Sequence, residues 1–341
     1  MKLKTMQAEK ELRRLKNYLP GETSYNNGIS SLKIDKHMGE GIIKCTSLDE
    51  GIMAIELDII LNNDTYLSID DHEKDTICFL YCMVGNCYHQ FSNKKRIVHL
   101  NELQTGVAKS TQGILSKILI KKGTKVVLSL IRMDNSQYFK NFKENEIYDS
   151  DENLYYMLES LNLNDNFHLG SYNLRIAEHI KRLKNEVHTN DISYLLRFEG
   201  ICHLILATHI DQFKKEKNND SNPTSLTRKE LKKIEELSDF IKNNFDLQHT
   251  IKNLCGRSGL SPAKLQEGFK FMHDRTVSDF IRNIRVERAE QLIKTTDLNI
   301  SEIVYSIGFT SRSYFCKIFK NKYRCSPKRY KNNAVLIGQP I

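Results

Sequence analysis

Gly308-Phe309-Thr310-Ser311-Arg312-Ser313-Tyr314-Phe315, followed by Phe319-Lys320, is the stretch whose reading decides the fold of the C-terminal third. Ahead of it Ile300, Ile303, Val304 and Ile307 recur at helical spacing, and Gly308 interrupts them. After Ser311 a second run sets Phe315, Ile318 and Phe319 on one side and Arg312, Lys317 and Lys320 on the other. A helix, a tight turn and a basic second helix are the parts of a helix-turn-helix. A weaker copy lies fifty residues upstream, at Ile251–His273.

Charge follows the same division. The chain has 341 residues and a net charge of +9, and residues 227–332 alone hold 22 Lys and Arg against 12 Asp and Glu. The remainder is close to neutral, so a polyanion is the expected partner of the C-terminal part. A solvated lysine-rich surface is the alternative reading of charge taken alone. No apolar segment follows the basic N-terminus, and the longest apolar run, Ile201–Ile210, is far short of the ~20 residues a membrane span needs. A cytoplasmic chain with no membrane partner is expected, its eight cysteines reduced.

Working outward, Thr5–Leu19 reads as a short basic helix stopped by Pro20-Gly21. Short runs rich in Ile, Val, Leu, Thr and Tyr follow: Gly41–Thr46, Gly51–Ile60, Thr76–Val84, Cys87–Phe91, Arg96–Leu100 and Lys125–Met133. Turn residues separate them, which predicts a β-barrel or sandwich able to enclose a small ligand, over residues 1–150. Residues 151–216 then read as a helical hairpin, Asn164–Val187 and Asp191–Lys217. Its apolar faces either pack on the β-domain or make a dimer surface. Lys215–Ser225, KEKNNDSNPTS, has no large apolar residue, so a linker is placed at 217–226. A capping box at Thr227-Arg228-Lys229-Glu230 opens an all-α domain over 227–332, leaving 333–341 as a tail.

Inside that domain Ser261 is an N-cap and Pro262 a first-turn residue. Leu265, Phe269 and Met272 face inward, leaving Ala263, Lys264, Gln266, Glu267 and Lys270 outside. The helix from Thr276 to Thr295 shows Arg282, Arg285 and Arg288 on its exposed side. Asn299 caps the next helix. Beyond Ser311, the outward set is Arg312, Ser313, Cys316, Lys317 and Lys320.

At this point the residues carry a specific resemblance. Residues 228–332 resemble the DNA-binding domain of the AraC/XylS family of bacterial transcription regulators. The matching run is Ile303, Gly308-Phe309-Thr310-Ser311, Tyr314-Phe315, Phe319-Lys320, Ser326-Pro327 and Tyr330, and Leu254 with Gly259-Leu260-Ser261-Pro262 begins the first half. The resemblance implies two helix-turn-helix units bridged by one helix, each laying a recognition helix in the major groove of double-stranded DNA. It also implies an N-terminal cupin-like barrel that binds a small-molecule effector, a homodimer, and contact with RNA polymerase.

Side-chain chemistry then suggests roles. Gln266 suits adenine, Arg312 guanine and Glu267 cytosine, and Ala263 offers a methyl. Glu267 has an alternative, pairing with Lys264 or Lys270 in its own helix. Lys270, Lys317 and Lys320 suit phosphates, as do the helix N-termini at Ser261, Ser311 and Asn299. Lys264-Leu265-Gln266-Glu267-Gly268-Phe269-Lys270 resembles the subgroup that senses iron–siderophore complexes, which makes such a complex the one effector suggested. No cofactor is otherwise expected. The family's usual glycines are replaced by Asp274 and Arg324, and the second unit is expected to differ locally at its end.

His72, His89 and His99 have no metal-ligand spacing, and no paired carboxylates suggest catalysis, so a non-enzyme without a metal is expected. An enzyme, or a metal or redox sensor barrel built on Cys78, Cys82 and Cys87, with an appended DNA-binding domain, is the alternative.

Overall fold

The computed structural model describes residues 2–26, 28–48, 51–69, 75–138, 166–185, 192–218 and 224–337. The chain divides into two units, Met1–Pro223 and Thr224–Ile341. Residues 151–165 of the expected hairpin, 219–223 of the expected linker, His72 and 338–341 of the tail lie outside the described residues.

The first unit opens with α1 (Lys2–Lys16). Its Ala8, Leu12 and Leu15, with Leu19 just beyond, are buried against the sheets that follow. These strands are β1 (Gly21–Asn26), β2 (Ile29–Ile34), β3 (Gly39–Ser47), β4 (Ile52–Leu61), β5 (Thr65–Ser68) and β6 (Thr76–Val84). Next come β7 (Cys87–Phe91), β8 (Ile97–Leu100), β9 (Gln104–Ser110), β10 (Ser116–Ile120), β11 (Lys125–Asp134) and β12 (Phe167–Tyr172). Among the described residues they form two antiparallel sheets, ordered β1-β2-β3-β4-β11-β6-β9-β12 and β5-β10-β7-β8. One apolar core joins α1 to both sheets, with Leu57, Leu80 and Leu128 from the long sheet and Leu67, Phe91 and Ile118 from the short one.

The six expected strands are present. Of those not foreseen, β1 (GETSYN) and β9 (QTGVAKS) have few apolar residues and are held by pairing with neighbours, while β2 (ISSLKI) and β10 (SKILI) are short and apolar. Gly85-Asn86 does not close a hairpin: the chain passes there from the long sheet to the short one. Gly85 has φ +79°, and a Cβ would collide with the carbonyl oxygen of Lys125.

Two helices complete the unit, α2 (Leu174–Asn185) and α3 (Ile192–Lys217). The expectation of a helix from Asn164 is corrected, because Phe167–Tyr172 pairs with β9 as a strand. The helix starts only after Asn173, whose side chain accepts from the N–H of Arg175 and of Ile176. Helical spacing of Leu174, Ala177 and Ile180 was real, but it did not reach upstream of the cap.

Helix α3 covers the long sheet, and His209 packs its ring on Phe79 and Tyr81. Neither nitrogen of His209 has a hydrogen-bond partner among the described residues. Burial pushes its pKa down to about 3, so it is neutral. His89 is likewise buried, beside Ser116 Oγ at 2.6 Å, while His99 stacks on Tyr88. Cys78, Cys82 and Cys87 are buried too, and the Cys87 thiol is pushed up by its hydrogen bond with Cys82 and by burial. A thiol held protonated is a poor nucleophile and metal ligand.

Beside α1 lies a cleft of about 450 Å³. One wall is an ion cluster in which Glu11, 5% exposed, bridges Arg14 and Arg132 at 2.5 and 2.6 Å. Burial pushes the Glu11 pKa up, but Arg132 and Arg14 more than reverse this and hold it at about 2. Lys10 and Arg13 also line the cleft, as does Thr76, whose buried hydroxyl has no hydrogen-bond partner among the described residues.

The second unit is all-α: α4 (Arg228–Asn243), α5 (Ile251–Ser258), α6 (Pro262–His273), α7 (Val277–Thr295), α8 (Ile300–Ser306), α9 (Arg312–Tyr323) and α10 (Pro327–Ile337). The last helix runs past the expected domain end at 332, into the stretch read as a tail. Thr227 and Glu230 form the capping box foreseen for α4, and Leu231, Ile234, Leu237 and Ile241 bury its inner face. No helix among the described residues is long and apolar enough to cross a membrane.

Candidate nucleic-acid interface

Two helix-turn-helix units, α5–α6 and α8–α9, are joined by α7. They repeat with an offset of fifty residues: α6 and α9 are both twelve residues long, capped by Ser261 and Ser311. Phe269 packs edge-on to Phe280, with His273 beside both. Fifty residues on, Phe319 packs edge-on to Tyr330, with Tyr323 beside both. Each aromatic set fixes a recognition helix against the helix that follows it.

The expected difference at the end of the second unit is not found. Asp274 (φ 56°) and Arg324 (φ 60°) both adopt the left-handed conformation, and their N–H groups donate to Lys270 O and Lys320 O. Arginine takes this conformation at a steric cost, which the packed turn imposes.

The turn before α9 depends on Gly308 (φ +80°), where a Cβ would collide with the Asp246 carbonyl oxygen. Arg285 holds this turn and corrects its assignment to an exposed face. Its Nε donates to Phe245 O at 2.8 Å, and its two terminal nitrogens donate to Gly308 O at 2.8 Å and Leu247 O at 2.7 Å. Three carbonyls from two segments converge on one guanidinium, so α7 ties the α4–α5 connection to the second turn.

The twelve candidate residues separate into engaged and open sets. On α6, Lys264 Nζ lies 2.5 Å from Glu230 Oε1, and this contact together with Thr227 holds the Glu230 pKa at about 2. Gln266 Oε1 accepts from the N–H of Val277 at 3.3 Å, so the side chain turns to the start of α7 and not outward. Glu267 accepts from Thr224 Oγ1, Ser225 N and Ser225 Oγ at 2.8, 2.5 and 2.8 Å. Its carboxylate is thus engaged by a segment distant in sequence, and its hydrogen bonds come from Thr224 and Ser225 and not from Lys264 or Lys270 in its own helix. Ala263 and Lys270 are exposed, with Asp274 at 3.7 Å from the Lys270 ammonium. Ser261 Oγ accepts from Lys264 N, and Pro262 has no N–H to offer a phosphate.

On α9 the outward side is open. Phe315 and Phe319 are buried, while Ser311, Arg312, Ser313, Lys317 and Lys320 are exposed and Cys316 is half-buried. Ser311 Oγ accepts from Tyr314 N. Arg312, Lys317 and Lys320 have no ion-pair partner among the described residues, so their charge is directed to solvent. Tyr314, 47% exposed beside them, was not foreseen. Its place in an otherwise inward-reading Tyr-Phe pair concealed it. Asn299 accepts from the N–H groups of Ser301 and Glu302, which occupies two of the amides expected to meet phosphate. An exposed basic helix, held by a buried aromatic set and a glycine turn, has the shape and charge to enter a DNA groove.

Residues 254–333 match a family model described as a helix-turn-helix domain. The histidine kinase P4 of Formosa agariphila is 40% identical over 74 residues, which are 22% of this chain and 5% of that protein. The HTH-type transcriptional activator RhaS of Mannheimia succiniciproducens is 28% identical over 157 residues, 46% of this chain and 55% of that one. A solved DNA-binding transcriptional dual regulator from Escherichia coli K-12 is 26% identical over 30% of this chain and 96% of its own, with a TM-score of 0.28. The chain spans about half the length of RhaS, and far less of the kinase.

Proposed function

We propose that the whole chain is a sequence-specific, DNA-binding transcription regulator of the AraC type, a reading supported by the helix-turn-helix domain matched over residues 254–333. The observation that carries this reading is the unpaired set Arg312, Lys317 and Lys320 on the open face of α9, in a unit repeated fifty residues upstream. Between the two units, α7 has 19 residues, about 28 Å at 1.5 Å per residue. That approaches the ~34 Å between successive major-groove segments on one face of DNA. Footprinting of the full chain on DNA it selects from a random pool tests the reading. Protection of two adjacent patches on one face supports it, and sequence-blind, salt-sensitive binding rejects it.

The regulator is cytoplasmic and dimeric in this reading, not an enzyme, and it activates by contact with RNA polymerase. Ile192, Leu196 and Leu204 support the dimer: they are 58%, 61% and 49% exposed on α3, an apolar stripe suited to a second copy. Sedimentation of Leu196→Asp should give monomer where the native chain gives dimer. Effector control is supported by the cleft beside α1, whose Lys10, Arg13 and Thr76 suit a small anionic, hydroxylated ligand. A thermal-shift series on the full chain, with an iron–siderophore complex among the additives, tests it, because a ligand bound by the folded state raises Tm.

A further inference from the structure

Glu267 stands on α6 between the exposed Ala263 and Lys270, one turn from each, where an unpaired carboxylate would repel DNA phosphates. It is not unpaired. Thr224 and Ser225, the first described residues of the second unit, donate three hydrogen bonds to it. The contact continues along the same flank of α6. Leu226 is 5% exposed and lies so near Gly268 that a Cβ there would come within 3.2 Å of it and 2.6 Å of Ile234. Glu230, bonded to Thr227, takes Lys264. Residues 224–230 are thus fastened to α6 at 264, 267 and 268.

The repeat supplies an internal comparison. Fifty residues on, the position of Glu267 holds Lys317 and that of Lys264 holds Tyr314, both exposed and without such a strap among the described residues. On the other side of 219–223, the end of α3 is also fastened. Glu216 accepts from Ser171 N and Oγ and from Gln212, and lies 2.6 Å from His168 Nε2.

We propose that Glu267 is a positioning residue that makes the first helix-turn-helix unit the controlled one. While Thr224 and Ser225 hold its carboxylate, α6 can approach DNA. When that segment is withdrawn, the freed carboxylate faces the phosphates and weakens binding. The second unit, with Lys317 in the same place, lacks this control. The inference rests on the DNA-binding reading and names the route by which events in the first unit reach DNA.

A double-mutant cycle on the full chain tests it, with binding to a selected DNA site read by fluorescence anisotropy. Thr224→Val with Ser225→Ala removes the two hydroxyl donors, leaving only the backbone N–H of residue 225, and should weaken binding about 5–10-fold. In a Glu267→Gln background, which has no charge to free, the same pair should change affinity less than 2-fold. Circular dichroism melts of each variant separate loss of folding from loss of binding. Equal losses in both backgrounds, or no loss in the native background, overturns the role of Glu267 while leaving the DNA-binding reading intact. Absence of any specific binding by the native chain overturns that reading, and this inference with it.

Discussion

Replacing Arg285 by alanine removes the one side chain that gathers the carbonyls of Phe245, Leu247 and Gly308. A hydrogen bond from a charged donor contributes about 1.5–3 kcal/mol, so three would sum to well above 4 kcal/mol if all were dry. The side chain is half-buried, and its bond to Leu247 is exposed, so water recovers part of the loss. The expected net cost is about 2–4 kcal/mol, concentrated in the α8–α9 turn. Hydrogen exchange followed by mass spectrometry on the full chain reads this locally. Amides from α8 and α9 should exchange roughly 30- to 1000-fold faster, at about 1.4 kcal/mol per factor of ten, while strands β4, β6 and β11 stay unchanged. Arg285→Lys, whose single ammonium cannot reach three carbonyls as the planar fork does, should fall between the two. Exchange within 3-fold of the native chain for Arg285→Ala would refute the reasoning that this guanidinium holds the turn.

Arg324→Gly should stabilise the second unit by about 0.5–1 kcal/mol, since relief of left-handed strain exceeds the entropy glycine adds to the unfolded chain. Slower exchange of α9 amides would show it. Glu11→Gln should destabilise the first unit by about 3–5 kcal/mol at neutral pH, because the buried Arg132 and the half-buried Arg14 lose their carboxylate. The folded pKa of Glu11, about 2, lies below its ordinary 4.5, so its stabilisation is present above pH ~4.5 and disappears as pH falls toward ~2. Urea denaturation should find the gap between the native and Gln chains narrowing over that window. Arg312→Ala should cost ~1–3 kcal/mol at one base position and relax preference there. Lys320→Ala should weaken binding to all sequences and reduce the salt slope by about one, both read from anisotropy titrations at several salt concentrations.

The second unit was legible because local signals agreed with one another. Thr227, Ser261, Thr276, Asn299 and Ser311 all cap helices as their residue types suggest. What the spacing could not supply was side-chain destination. Lys264, Gln266 and Glu267 are outward by helical angle, yet each meets a segment distant in sequence: Glu230, Val277 and Thr224-Ser225. Arg285 was hidden for the same reason, since its acceptors are backbone carbonyls about 23 to 40 residues away and carbonyls have no sequence signature. In the first unit the longer apolar strands, β3, β4, β6 and β11, were readable, while the short apolar strands β2 and β10 were not. Strands β1, β9 and β12 were not, because pairing with neighbours stabilises short polar segments that lack an apolar alternation.

The central claim is that two repeated helix-turn-helix units read DNA together, with α9 giving most of the charge. Hydroxyl-radical footprinting of the native chain and of Arg312→Ala on one selected site tests it most directly. The account predicts two protected patches about one helical turn apart, with only the patch read by α9 weakened in the variant. A single patch, or uniform weakening of both, would contradict it.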